Sequence, residues 1–179
     1  MSEDEIRKTW EKQPALKPKV EKVVVNICVG KSGEPLEKAM KVLKELTGQT
    51  PCQRKARKSI RDFGIRKGEP IACLVTLRKQ SAMDFLKKVL PVVDNKLSKE
   101  SFDQFGNFSF GLKEHIEIPG VKYDPEIGIF GMDTCVSLIR PGYRVKNRRR
   151  AKARIGSKHI LTPAEAMVFV KDALGAEVV

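Results

Sequence analysis

Two segments of this 179-residue chain carry side chains dense enough to do chemistry on a polyanion. The first, Arg54–Gly68, holds seven Lys or Arg, one acid (Asp62), and one aromatic (Phe63) beside a glycine. The second, Arg140–His159, holds nine more basic residues and no acid. Between them they contain 16 of the 35 basic residues and one of the 22 acidic ones, leaving 19 basic and 21 acidic elsewhere. The formal charge of +13 therefore belongs to two places. Plain solubility predicts scattered charge, whereas charge gathered this way is the footprint of a nucleic-acid binder.

The two segments differ in kind. In the first, Ser59, Ile60, Phe63 and Ile65 are out of place in a purely solvated loop, and Gly64 and Gly68 let the backbone approach a partner closely. An aromatic among arginines suits RNA, because unpaired bases offer stacking surface while phosphates attract the charge. The second segment has the triplet Arg148-Arg149-Arg150 and little to bury besides Tyr143, Val145 and Ile155. It reads as a helix or turn that orders on RNA, with a disordered basic tail as the alternative. The triplet alone is weak evidence, because nuclear-localisation runs share it. The run Phe105-Gly106-Asn107-Phe108-Ser109-Phe110-Gly111 only loosely echoes an RNA-recognition aromatic motif, and core packing explains its rings better.

Other chemistries find little support. Gly30-Lys31-Ser32 between a strand and a helix imitates the end of a phosphate-binding P-loop, but Val25 occupies the position of the motif's first glycine. Cys28, Cys52, Cys73 and Cys135 stand far apart, and neither His115 nor His159 lies at ligand spacing from them, so no metal site is expected. Cys28 and Cys73 sit in apolar runs and read as small buried hydrophobes. Asp124 and Glu126 flank Pro125 in a turn, and His115 has no nucleophile beside it. No catalytic residue and no cofactor is expected. An RNA-modifying enzyme would need a catalytic group and a cofactor pocket, and the sequence points to neither. The acidic N-terminus lacks an apolar signal core and no stretch reaches the roughly 20 apolar residues of a membrane span, so the chain reads as cytosolic and soluble.

The elements that must position the basic segments follow from periodicity. Residues 1–18 read as an arm, 19–159 as one domain, and 160–179 as a helical extension. Val20–Val29 alternates as a strand, with Val23, Val25, Ile27 and Val29 on one face and Lys22, Val24, Asn26 and Cys28 on the other. Leu36, Ala39, Met40, Leu43 and Leu46 recur at helical spacing between Pro35 and Gly48. Ile71, Cys73, Val75 and Leu77 form the buried row of a second strand, with Ala72, Leu74, Thr76 and Arg78 opposite. Ser81 is the expected cap of a helix bearing Ala82, Phe85, Leu86, Val89 and Leu90. Phe108–Ile118 and Ile127–Ile139, the latter kinked at Gly131, read as further strands. Thr162-Pro163-Ala164-Glu165 is a capping box opening a helix that should end near Gly175. The fold class is α+β: a mostly antiparallel sheet with helices packed on one face. The other face is then free, and Lys22, Asn26, Thr76 and Arg78 share it if their strands share a sheet.

Six segments, in order, carry a resemblance to one family. They are Lys22–Gly30, Leu46–Pro51, Lys55–Gly68, Phe105–Gly111, Tyr123–Asp133 and Arg140–Val145. Over residues 19–159 the chain resembles large-subunit ribosomal protein five, and its basic end is similar to the archaeal and eukaryotic branch. The resemblance implies a non-enzymatic RNA-binding protein of the ribosome in the cytoplasm, seated in the central protuberance. It implies that Lys22, Asn26, Gln49 and Thr76 meet 5S ribosomal RNA, joined by Arg78 from the same face. It implies that Lys55, Arg57, Lys58, Ser59, Arg61, Phe63 and Arg66 face the peptidyl-site tRNA. Arg144, Arg148, Arg149, Arg150 and Arg154 are the expected additional RNA contacts, large-subunit ribosomal RNA among them. Neighbouring ribosomal proteins, including one of the small-subunit head reached through an intersubunit bridge, complete the implied partners. Thr134-Cys135 departs from the family, whose members carry bulkier residues there.

Overall fold

A computed structural model describes residues 3–121 and 124–179. Tyr123, which opens one of the six familiar segments, and Met1–Ser2 of the expected arm lie outside the described residues. The elements are α1 (Glu3–Lys12), β1 (Lys19–Cys28), α2 (Glu34–Thr47), β2 (Cys52–Lys55), β3 (Pro70–Leu77), α3 (Lys79–Val89) and β4 (Lys96–Leu97). They continue with β5 (Phe108–Leu112), β6 (Met132–Ile139), α4 (Arg144–Asn147), α5 (Pro163–Leu174) and β7 (Glu177–Val178).

The class is α+β, as the patterning predicts. Five strands form one sheet in the order β2-β3-β1-β6-β5, every pair antiparallel. A small parallel pair, β4 and β7, stands apart from it. The apolar rows set which way the sheet faces. Val23, Val25 and Ile27 of β1 and Cys73, Val75 and Leu77 of β3 are buried, each worth about 1.5–3 kcal/mol over an exposed site for the aliphatic ones. α2 lays Leu36, Ala39, Val42 and Leu43 against this face, and α3 lays Ala82, Phe85, Leu86 and Val89 there. Among the described residues no helix is long and apolar enough to cross a membrane.

Both ends of the chain join the same core. The expected arm folds as α1, an amphipathic helix that buries Ile6 and Trp10. Arg7 clamps it to α5 through both carboxylate oxygens of Asp172 (3.3 and 2.9 Å). α5 opens with the predicted capping box, in which Glu165 accepts the Thr162 backbone N–H at 3.0 Å, and closes at Gly175. Its apolar side, with Ala166, Val168, Phe169 and Val170, belongs to one continuous buried cluster that includes the sheet.

Four local expectations give way to tertiary structure. The first strand after Asn107 stops at Leu112, and His115–Glu117 forms a short 3-10 turn instead. The last strand starts at Met132, because Asp124 accepts the N–H groups of Glu126, Ile127 and Gly128 in a turn. Gly131, three residues beyond that turn, sits where a Cβ would lie 3.2 Å from the Leu112 carbonyl and 3.1 Å from that of Lys113, so a side chain there would have to push the facing backbone back by a few tenths of an ångström. Ser81 lies inside α3; its N-cap is Arg78, which has no side-chain cap bond. Cys28 is exposed on the sheet's free face, whereas Cys73 is buried and its thiol is pushed up to about 11 by burial.

Candidate nucleic-acid interface

The sheet face turned away from the helices carries the predicted polar side chains in register. Thr76, Val24, Cys135 and Ser109 form one row across β3, β1, β6 and β5. Cys52, Leu74, Asn26, Asp133 and Gly111 form the next. Lys22 lies opposite Ser137, four residues from Asn26 and so roughly 13 Å from it along β1. Lys22, Asn26 and Thr76 therefore share one rigid surface, as alternation predicts. Asp133 stands beside Asn26 and favours donors over bare phosphate at that point.

The free face is a trough. A concavity of about 1150 Å³ spans Asn26, Leu74, Ser109, Asp133, Arg54 and Arg57. A hollow of about 400 Å³ continues it past Val24, Cys135 and Ser137 to Lys22. Lys22 also borders a third, of about 590 Å³, walled by Lys146, Lys152 and Arg154. Shared lining residues join the three, so the two basic segments stand at opposite ends of one polar floor.

Gln49 and Arg78 do not line these three hollows. Gln49 is exposed on the turn between α2 and β2, its N–H donated to Thr47 Oγ1 at 3.3 Å. Arg78 follows the last residue of β3, and its guanidinium pairs with Glu21 at 3.7 Å.

The first basic segment is an ordered hairpin. Arg54 and Lys55 belong to β2, an edge strand that the charge of Gln53-Arg54-Lys55 hides from pattern reading. Beyond it, Ala56 exchanges backbone bonds with Glu69 and Gly68 (2.8 and 2.9 Å), and Ile60 pairs with Ile65 (2.9 and 3.1 Å). Ser59 Oγ accepts the Lys67 N–H at 2.9 Å, so its hydroxyl braces the loop. Glu69 accepts the Arg66 N–H (3.0 Å) and the Ser32 hydroxyl (2.7 Å), and these bonds hold its carboxyl below the ordinary value. Lys55, Arg57, Lys58, Arg61 and Arg66 are left exposed, with Phe63 73% exposed at the tip.

The second basic segment loses one member. Arg140 is buried against Glu165, with a further bond to the Ile160 carbonyl (3.4 Å), and belongs to the core. The remaining eight cations, among them Arg144, Arg148, Arg149, Arg150 and Arg154, are exposed. Two anchors fix the segment's ends: Tyr143 Oη accepts the Leu161 N–H (2.9 Å), and His159 Nε2 donates to the Pro141 carbonyl (2.8 Å). Between them α4 is followed by a turn in which Arg148 Nε donates to the Ala151 carbonyl (2.8 Å). No spacing rule links Arg140 to Glu165, 25 positions on; only the capping box, which turns Glu165 inward, offered a hint.

His115 is buried with its Nδ1 accepting the Phe130 N–H at 3.2 Å, and burial lowers its pKa. Among the described residues no group of His, Cys, Asp and Glu could hold a metal ion.

A rigid polar floor, flanking cations and an exposed aromatic at the hairpin tip are the features of a polyanion-binding scaffold. The ribosomal protein L5 family model matches residues 14–66, and the model of the family's C-terminal part matches residues 70–169. A relative from Pyrobaculum aerophilum, named large ribosomal subunit protein uL5, is 57% identical over 159 residues and covers 89% of both chains. Proteins of the same name from Sulfolobus acidocaldarius (56% identical, 86% of both chains) and Aeropyrum pernix (49%, 96% of this chain and 90% of that one) are similar too. This chain belongs to the ribosomal protein L5 family, a family of structural rather than catalytic proteins.

Proposed function

We infer that the chain is a structural constituent of the large ribosomal subunit that holds 5S ribosomal RNA on the free face of its sheet. The observation that carries this reading is the register of Lys22, Asn26 and Thr76 on one surface bordered by cations at both ends. Phosphate contacts from the cations that border the floor, Lys22, Arg54 and those of the second basic segment, supply affinity, and polar side chains on strand backbone fix where the RNA sits. The β2–β3 hairpin projects beyond the sheet and presents Lys55, Arg57, Lys58, Arg61, Phe63 and Arg66 to the peptidyl-site tRNA, with Ser59 bracing it. Gln49 and Arg78 add to the RNA contact from outside the hollows, and Arg144, Arg148, Arg149, Arg150 and Arg154 continue it toward large-subunit RNA. The intersubunit bridge to a protein of the small-subunit head belongs to the same reading.

The test is RNA binding by two variants. Asn26→Ala and Thr76→Ala each remove a side chain that supports no described hydrogen bond, so the fold should survive. Each is expected to weaken 5S binding about 5- to 10-fold, the worth of one ordinary hydrogen bond. Unchanged affinity in both would remove the sheet face from the interface.

A further inference from the structure

We propose that the hollow between Phe105, Tyr143 and α4 is a pocket for a single unstacked nucleotide, with Phe105 as its stacking platform. This deepens the RNA-binding reading and rests on it. The hollow holds about 590 Å³, within the range of pockets that enclose small ligands. Its wall combines the two things a nucleotide requires. Phe105 offers a ring face, being 51% exposed, and Lys22, Lys146, Lys152 and Arg154 offer phosphate partners. The acid on the wall, Glu21, already faces Arg78.

Phe105 stands apart from the other rings of its run. Its two neighbours in the aromatic run, Phe108 and Phe110, turn to the core side and stack with centroids 6.4 Å apart. Phe105 is turned outward by a stiff loop. Asp103 accepts the N–H groups of Phe105 (2.9 Å) and Asn107 (2.7 Å), and Asn107 Oδ1 accepts the Leu138 N–H (3.2 Å). Gly106 adopts φ +75°, and a Cβ there would lie 2.9 Å from both Ala166 Cβ and Leu161 Cδ2. An apolar ring exposed by so constrained a turn is oriented for a flat partner. The four cations make that partner a nucleic-acid base rather than an apolar protein segment. A pocket of this size at the end of the trough takes an unpaired residue, because a duplex cannot offer one base without extruding it.

The probe is a single-stranded RNA octamer carrying one central 2-aminopurine, titrated into the full chain while the emission of that base is followed. Stacking on Phe105 should quench it. Phe105→Ala is expected to abolish the quench and weaken binding on the order of tenfold, while Phe105→Trp retains both. Replacing Lys146 and Lys152 together by Gln should lower the salt slope for this single strand by about 1.4. Equal quenching in wild type and Phe105→Ala overturns the proposal, and so does an octamer that does not bind, which would leave a protein as the occupant. Phe105 is half-exposed, and a thermal melt confirms that its replacement folds. Repeating the titration with 5S RNA separates the two readings. Loss of 5S preference with a Phe105-dependent octamer quench sinks the 5S assignment and leaves the pocket standing. Intact 5S preference with no effect of Phe105→Ala on either RNA sinks the pocket alone.

Discussion

Thr134 and His115 show how single residues in this protein are governed by what surrounds them. Thr134 faces the core from β6 fully buried, and its hydroxyl has no hydrogen-bond partner among the described residues. An orphaned buried hydroxyl costs free energy that an isosteric methyl does not. Thr134→Val is therefore expected to stabilise the protein by about 1 kcal/mol, read as a rise in the urea midpoint at unchanged slope. A lower midpoint would mean that the hydroxyl has a partner in solution. His115 is the converse case, a group whose ionisation the fold opposes. Burial lowers its pKa from the ordinary 6.5, so the unfolded chain takes up this proton first as the pH falls. Its contribution is complete above about pH 6.5 and is lost as the pH drops toward its lower folded-state value. Glu3, Glu34 and Glu69, each held below the ordinary 4.5, act in a separate, more acidic window. Unfolding free energy measured between pH 7 and 5 should thus decline in the wild type and flatten in His115→Gln. Parallel profiles would show that the imidazole is not what titrates.

At the scale of elements, the basic hairpin and the sheet are separable by construction. The hairpin leaves the sheet between Lys55 and Pro70, and Ala56 closes its base with backbone bonds to Gly68 and Glu69. Removing Arg57 to Arg66 and bridging the stump with a short turn keeps those strands paired. Such a deletion is expected to leave 5S affinity within about threefold, under ~1 kcal/mol, because the floor and the second basic segment are untouched, and to impair tRNA-dependent steps on the ribosome. A 5S affinity that collapses with the hairpin would place the RNA on the hairpin instead of the floor. The strands that carry the floor were legible because β1 and β3 alternate apolar and polar residues along their length. β2 was not, since an edge strand needs only backbone pairing on one side and tolerates Gln53-Arg54-Lys55 without an apolar row. α1 was missed for a related reason. Only Ile6 and Trp10 are buried, too few apolar positions to outweigh the surrounding charge in a linear reading.

For the molecule as a whole, charge and fold divide the labour. The sheet, the helices and both chain ends make one core, and the excess positive charge is confined to the hairpin and the segment after Arg140. Binding to 5S RNA and to an unrelated structured RNA of equal length should therefore respond differently to salt. Generic phosphate contacts weaken both by roughly 0.7 to 0.9 log units per contact for each tenfold rise in salt. On the proposed reading, the positioned groups on the floor should add a difference between the two RNAs that persists at high salt. Curves that fall together with no residual gap would reduce the protein to a basic patch on an inert scaffold.

The sequence by itself determined the fold class, the two inward-facing rows, the boundaries of α2 and α5, and the confinement of charge to two segments. Each of these is local or periodic: side-chain alternation, capping chemistry and composition act over a few residues and need no knowledge of the rest of the chain. Tertiary structure alone decided that the two segments flank one trough, that Arg140 leaves the basic patch to meet Glu165, and that Phe105 points outward while Phe108 points in. Those facts depend on pairing between residues tens of positions apart. A side chain's environment is set by whatever the fold brings against it, and no spacing along the chain encodes that contact.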